Sequence, residues 1–385
     1  MTTPPNPQLP DFKLEVYLGK WEFAAKWHMT PSDAQSLTIR ELLALATPED
    51  RALWEDLPLT YIETWGTPKL RAAIAATYRG AVPEDVLAFA GAEEGLYCAM
   101  HALLAPGDHA LIVTPNYQSA EQVPLSLCAV EGIALREDRN WDLDLDEVAA
   151  KIRPNTKLIS INFPHNPTGK VIDRASFDAL VALCRKHGVW LFSDEVYRGL
   201  ELDPAKRLPA VVETYERGLS LGVMSKAYGL PGLRVGWIAC KDHALLDRME
   251  RIKHYLSICN AGPSEHLAVI ALKARDRVIG RNVALLKDNL QAVERFFGDD
   301  PGGFEGYRPD GGCVAFPRYV GGEGVETFCR RLVEEDGIVL LPASIYVSSL
   351  NPVAADRFRI GFGRFYTKDG LEQMRRFLSR NRDAA

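Results

Sequence analysis

Leu219-Ser220-Leu221-Gly222-Val223-Met224-Ser225-Lys226-Ala227-Tyr228-Gly229-Leu230-Pro231-Gly232-Leu233-Arg234-Val235-Gly236 reads as an apolar strand, a glycine-punctuated turn and the start of a second strand. Lys226 stands in the turn, just past the carboxyl end of the first strand. An amine attacks a carbonyl only when unprotonated, so a reactive lysine needs its pKa brought from about 10.4 towards about 7 to 8 by burial or a neighbouring cation. Arg234 is a candidate for that cation. The alternative is a solvent-facing loop lysine, the usual state of this residue type. The rest of the chain decides between them.

Outward from this turn, between Asp85 and Ala239, short apolar runs alternate with segments of helical period. Strands are expected over Val86–Phe89, Ala110–Val113, Leu158–Ile161, Val189–Phe192, Leu219–Val223 and Val235–Ala239, and helices over Glu93–Leu104, Leu145–Ile152 and Arg174–His187. Continuous apolar strands separated by helices imply an α/β fold, a mostly parallel sheet sandwiched by helices. Ligands of such sheets collect at the carboxyl ends of the strands. Beyond Ala239, Leu245–Leu256 and one long run over Glu265–Phe297 read as helix, the latter connecting the sheet to a smaller α+β unit. That unit is expected to hold strands at Val314–Phe316, Ile338–Leu341 and Phe358–Phe362, with helices near Val325–Glu335 and Gly370–Arg380. Thr47-Pro48-Glu49-Asp50 carries an N-cap, a first-turn proline and two acids, a helix start. Leu14–His28 is rich in aromatics (Tyr17, Trp21, Phe23, Trp27), a surface for packing on the rest of the chain or on a partner. The expected division is residues 1–46 as an N-terminal arm with part of the small domain, 47–280 as the large domain and 281–385 as the small C-terminal α+β domain.

A chain of 385 residues exceeds what one core usually serves, so two domains sharing a cleft are expected. A net charge of -6 argues against nucleic acid or an anionic membrane as partner. No apolar run reaches the roughly 18 residues needed to span a bilayer, and Met1 to Pro10 lacks the pattern of a secretory signal, so a cytoplasmic location is expected. The seven cysteines are scattered singly and the eight histidines form no H-E-x-x-H cluster, which points away from a disulfide framework and from a metal site.

Five further features fall where a planar, phosphate-bearing aldehyde would need them. Gly91-Ala92-Glu93-Glu94-Gly95 opens a helix after a strand, leaving backbone N–H groups of Ala92 and Glu93 free for an anion. Asp194 ends the strand Val189–Phe192-Ser193, where a desolvated carboxylate needs a cation such as a protonated pyridine nitrogen; a turn-capping Asp is the alternative. Tyr197, three residues on, has a phenol able to donate to an oxygen of the same ring. Asn162-Phe163-Pro164-His165-Asn166-Pro167-Thr168-Gly169 offers the Asn166 amide in a proline-stiffened loop, or else a plain surface turn. Tyr117, just past Val113, suits stacking on a ring or ordinary packing. Arg359, in Arg357-Phe358-Arg359-Ile360-Gly361-Phe362, carries the planar fork that grips a carboxylate, though many strand arginines are simply solvated.

Together these motifs resemble the class I/II aminotransferases, the fold type I enzymes that use pyridoxal 5′-phosphate. The likeness runs from Tyr61-x-x-x-x-Gly66-x-x-x-Leu70-Arg71 through Asn166-Pro167-x-Gly169, Asp194-x-x-Tyr197 and Ser225-Lys226-x-x-Gly229-x-x-Gly232-x-Arg234 to Arg359. The resemblance implies a covalent imine link between Lys226 and the cofactor, with Lys226 afterwards moving the proton between Cα and C4′. It implies Asp194 at the pyridine nitrogen, Asn166 and Tyr197 at the ring oxygen, Tyr117 on the ring face, and Arg359 with Asn166 on the substrate. The phosphate is expected on the backbone of Ala92 and Glu93, on Ser225 and Arg234, and on Tyr61 from a second subunit of a homodimer with shared active sites. An amino acid and a 2-oxo acid are the implied substrates. By family position, Tyr17, Trp27, Ser36, Tyr255 and Cys313 are expected near the substrate side chain.

Departures from the family pattern are Val223 and Ala92, where hydroxyl residues are frequent, and Trp27-His28-Met29-Thr30-Pro31-Ser32-Asp33-Ala34-Gln35-Ser36 in place of a glycine-proline loop. Some of the wording, including Gly311-Gly312-x-x-Ala315-Phe316-Pro317-Arg318, is similar to family members that cyclise a hydroxylated arginine. Three functions are therefore compared: an aminotransferase; the same cofactor driving elimination, replacement or cyclisation at Cβ or Cγ; and a non-catalytic sensor or scaffold on the same fold. The electron sink serves the first two equally, so the fold alone does not separate them.

Overall fold

The computed structural model describes residues 9–299, 303–306 and 308–383. The Met1 to Pro10 segment, read above for a secretory signal, lies outside the described residues as far as Gln8. Seven strands make the main sheet, in the spatial order Val86–Phe89, Gly236–Cys240, Gly218–Val223, Trp190–Asp194, Thr156–Asn162, His109–Thr114 and Ala129–Ala134. Every neighbouring pair is parallel except those made by Gly236–Cys240, which runs against both its neighbours. The runs Val86–Phe89, Gly218–Val223 and Gly236–Cys240 are buried along their whole length, as the absence of alternation demands of a sheet covered on both faces. Helices Ala92–Leu103, Arg174–His187 and His243–Lys253 supply that cover.

The expected strands are present with ends moved by a residue or two. Between Val86 and Cys240 one strand and one α-helix escaped the apolar pattern. Ala129–Ala134 is an edge strand pairing only with His109–Thr114, and its Glu131 and Gly132 interrupt the apolar run. The short helix Ser119–Leu125 contains Pro124, a residue that argues against helix when read alone. The single long helix expected over Glu265–Phe297 is corrected to two, Gly262–Lys273 and Arg275–Gly298, separated by the non-helical Ala274. Thr47 caps Pro48–Glu55 as its sequence required, its hydroxyl accepting from Asp50 N at 3.1 Å.

The C-terminal part builds three small sheets. Val314–Ala315, Phe358–Gly361 and Leu341–Pro342 pair antiparallel, and Arg318–Tyr319 pairs with Phe304–Glu305. Trp27–His28 runs parallel to Ile338–Val339, so the N-terminal arm is hydrogen-bonded to a segment some three hundred residues away. The strand expected over Ile338–Leu341 is therefore two, because its halves serve different sheets. Helices Val325–Asp336 and Thr367–Asp383 complete this layer. No helix among the described residues is long and apolar enough to cross a membrane.

Candidate active site

The parallel strands all end on one side of the sheet, and the polar residues that follow them meet there. Ala92 and Glu93 come after Phe89, Tyr117 after Thr114, Asn166 after Asn162, Asp194 at the end of its own strand, and Ser225 and Lys226 after Val223. They line one cavity of about 600 Å³ together with Tyr197, Arg234 and Arg359. The convergence follows from topology, since a crevice at strand carboxyl ends is where a doubly covered parallel sheet leaves room.

At the cavity floor the Lys226 amine donates to Ser32 Oγ at 2.8 Å. Burial lowers its pKa, with the Arg359 guanidinium adding to that effect and Asp33 opposing it. The expected role of Arg234 in that depression is thus corrected: the guanidinium that acts on Lys226 is Arg359. Arg234 instead holds a left-handed backbone (φ 51, ψ 46) and lays its guanidinium against the Gly91 turn, where a Cβ on Gly91 would fall 2.5 Å from Nη2. Gly91 itself has φ +97 and precedes the helix Ala92–Leu103, so the free N–H groups of that helix, the Arg234 guanidinium and Ser225 all border one spot. Such a cluster of donors is built for a phosphate. Gly236 permits it, because a Cβ there would lie 2.6 Å from the Gly91 carbonyl carbon and 2.7 Å from Ala92 N.

Among the described residues the Asp194 carboxylate accepts a hydrogen bond from Val196 N at 3.2 Å. Burial pushes its carboxyl up to about 6, and Lys226 pulls it partly back. A protonated ring nitrogen would satisfy such a group. The Asn162 amide donates to Asp194 O at 2.9 Å while its Oδ1 accepts from Asn166 N at 2.8 Å, so one side chain ties the two candidate ring contacts together. Tyr197 is 2% exposed and burial raises its phenol. Tyr117 lies beneath the N-terminal arm, its ring 5.1 Å from that of Phe12, and burial raises its phenol as well.

Arg359 is 2% exposed, an expensive position for a cation. Nη1 donates to Asn166 Oδ1 at 3.0 Å and Nη2 to Thr30 O at 2.9 Å, while Nε has no partner among the described residues. A buried guanidinium without a carboxylate in reach is a receptor for one. The residues therefore fit pyridoxal 5′-phosphate at every part of the molecule: an amine for the aldehyde, a carboxylate for the ring nitrogen, an aromatic face, and a nest of donors for the phosphate.

Other expected residues lie elsewhere. Tyr61 is 82% exposed on the surface of the chain, and so is Tyr255 at 91%, so neither touches the cavity from within one subunit. Tyr17 turns its hydroxyl to Leu340 O at 3.0 Å, and Trp27 and Ser36 do not line the cavity. Cys313 is fully buried; Lys226 acts on its thiol electrostatically, but it is not part of the cavity wall. Ser32, Asn162, Thr30 and the pair Asp33–Arg364, bonded through both carboxylate oxygens at 2.9 Å, also belong to the wall. The sequence places Asn162 in the proline loop and Thr30, Ser32 and Asp33 in the segment that replaces the glycine-proline loop, but gives none of them a role, since their place depends on how the chain folds back.

Comparison with known proteins identifies the family. Residues 43–375 match the family Aminotransferase class I and II. The chain is 33% identical over 362 residues to capreomycidine synthase of Streptomyces vinaceus, covering 92% of this chain and 90% of that one. It is 31% identical over 314 residues to the arginine–pyruvate transaminase AruH of Pseudomonas aeruginosa, covering 78% and 77%. A crystal structure of a PLP-dependent aminotransferase from Streptococcus suis superposes with a TM-score of 0.90 at 31% identity, over 97% of this chain and 98% of that one. The chain is therefore a member of the class I and II aminotransferase family, a fold type I enzyme whose cofactor is pyridoxal 5′-phosphate.

Proposed function

We propose that the enzyme transfers the amino group of an α-amino acid to a 2-oxo acid, as a homodimer. The observation that carries this reading is the meeting of the Lys226 amine, the Asp194 carboxylate and the Arg359 guanidinium, whose Nε has no partner among the described residues, in one cavity. The bound cofactor supplies an electron sink for the pair left at the substrate Cα. Asp194 holds the proton on the ring nitrogen, and Asn166 and Tyr197 bond the ring oxygen. Arg359 takes the α-carboxylate through its fork and so orients Cα towards Lys226. The Lys226 amine, whose pKa burial lowers towards the working range, would take the proton from the substrate Cα and carry it to the acceptor carbon of the bound cofactor. Backbone N–H groups of Ala92 and Glu93, with Ser225, Arg234 and Tyr61 of the second subunit, hold the phosphate.

The test is spectroscopic. An amino acid should convert the bound cofactor to its amine form, and a 2-oxo acid should reverse the change; if no amino acid produces the amine form, transamination is excluded. A second reading, cyclisation or elimination at Cβ or Cγ, is favoured by the 33% identity to capreomycidine synthase over most of both chains. Release of ammonia or of a ring product without any 2-oxo acid acceptor would replace the first reading by the second.

A further inference from the structure

We propose that this site is selective for α-amino acids whose side chain ends in a cation, and that Glu15 and Glu93 are the residues that recognise it. The proposal rests on the cavity being an amino-acid site, as above, and adds the substrate class. The cavity wall carries charges of both signs. Lys226 and Arg359 line it, the latter buried with an unpaired Nε. Glu15 from the helix Lys13–Trp21 and Glu93 from the first turn of Ala92–Leu103 line it too, joined by Glu22.

These three carboxylates form no ion pair among the described residues, whereas Asp33 in the same wall is fully engaged by Arg364. Glu93 accepts only a neutral donor, Ser119 Oγ at 3.0 Å, and Glu15 has the Tyr117 hydroxyl at 3.5 Å. They also feel one another. Glu15 and Asp194 both add to the burial that pushes Glu93 up to about 7, and Glu15 adds to the burial that raises Glu22. Like charges converging on a cavity are unfavourable until a cation enters between them. An amino acid with its carboxylate on Arg359 and a cationic tip between Glu15 and Glu93 matches both signs of charge in the wall.

The experiment titrates the holoenzyme with L-arginine and L-lysine and with their neutral counterparts L-citrulline and L-norleucine, reading affinity from the change in cofactor absorbance. Each cationic amino acid is expected to bind at least tenfold more tightly than its counterpart. The arginine-to-citrulline ratio should fall at least tenfold in Glu93→Gln and at least threefold in Glu15→Gln. Glu15 is exposed on a surface helix, so its variant keeps the test decisive if the Glu93 variant folds poorly. Equal affinities in the unmodified enzyme, or a ratio unmoved in both variants, would overturn the proposal. Products are read separately: selective arginine binding without 2-oxo acid formation would remove the transaminase reading and support this one. Formation of 2-oxo acid from neutral and cationic amino acids at equal affinity would do the reverse.

Discussion

In the proposed reading Lys226 reacts because of where it is buried rather than because of its sequence neighbours, and its replacement should be local in effect. Lys226→Ala is expected to lower turnover on the order of 10³-fold or more while leaving the circular dichroism spectrum unchanged. Hydride reduction of the unmodified holoenzyme should leave cofactor mass on the Lys226 peptide and nowhere else; a label on another lysine would refute the assignment. Arg359→Ala should raise KM for carboxylate substrates on the order of 10- to 100-fold, and Arg359→Lys should recover only part of it because an ammonium lacks the fork. Asp194 gives a prediction with a sign. In the cofactor-free protein its pKa stands at about 6 against an ordinary 3.8, so the native state binds that proton more tightly than the unfolded chain does. Stability from this group is present at low pH and is lost as pH rises through about 6. Cofactor-free Asp194→Asn should therefore exceed the unmodified protein near neutral pH by on the order of 1–2 kcal/mol, with the gap closing in acid. Urea unfolding at both pH values checks this, and the order should invert once cofactor is bound. At this scale the sequence was informative wherever a residue followed a strand directly, as Asp194, Asn166, Ser225 and Lys226 do. It was silent on Ser32 and Glu15, which reach the cavity only through the folding of the arm.

In the proposed reading cofactor retention depends on the turn from Val86–Phe89 into the helix Ala92–Leu103, against which Gly236 on the neighbouring antiparallel strand packs. A methyl group at Gly236 would meet the backbone of Gly91 and Ala92 below 3.0 Å, with no flexible side-chain end to yield. Gly236→Ala should thus displace the helix N-terminus and weaken cofactor binding at least tenfold by equilibrium dialysis, while Gly232→Ala, with open space around it, should not. Equal cofactor affinity in both variants would show that the helix start does not bear the phosphate. The buried strands were legible because continuous apolar runs have few other uses. The edge strand Ala129–Ala134 and the proline-containing helix Ser119–Leu125 were not, since tertiary pairing there overrides weak local preference. The break at Ala274 was hidden for a similar reason: helical-period residues continue across it, and only the backbone records the change of direction.

For the whole molecule the proposed homodimer makes a definite demand on the exposed apolar residues Leu59, Tyr61, Tyr255 and Leu256, which a second subunit would cover. Light scattering should find a dimer, and Tyr61→Phe should reduce cofactor affinity about tenfold, as loss of one hydrogen bond to a charged group does. A fully active monomer would contradict both. The proposed division into a domain of residues 47–280 and a smaller unit joined to the arm is consistent with the pairing of Trp27–His28 on Ile338–Val339, and limited proteolysis tests it. By itself the sequence determined the sheet and its hand-off of polar residues to one side, because strand patterning and residue type act locally. Tertiary structure alone decided which guanidinium depresses Lys226 and which carboxylates line the cavity. Those depend on distances between segments as far apart as Glu15, Glu93 and Arg359, and electrostatics is set by such distances and by burial, neither of which is written in any local stretch of chain.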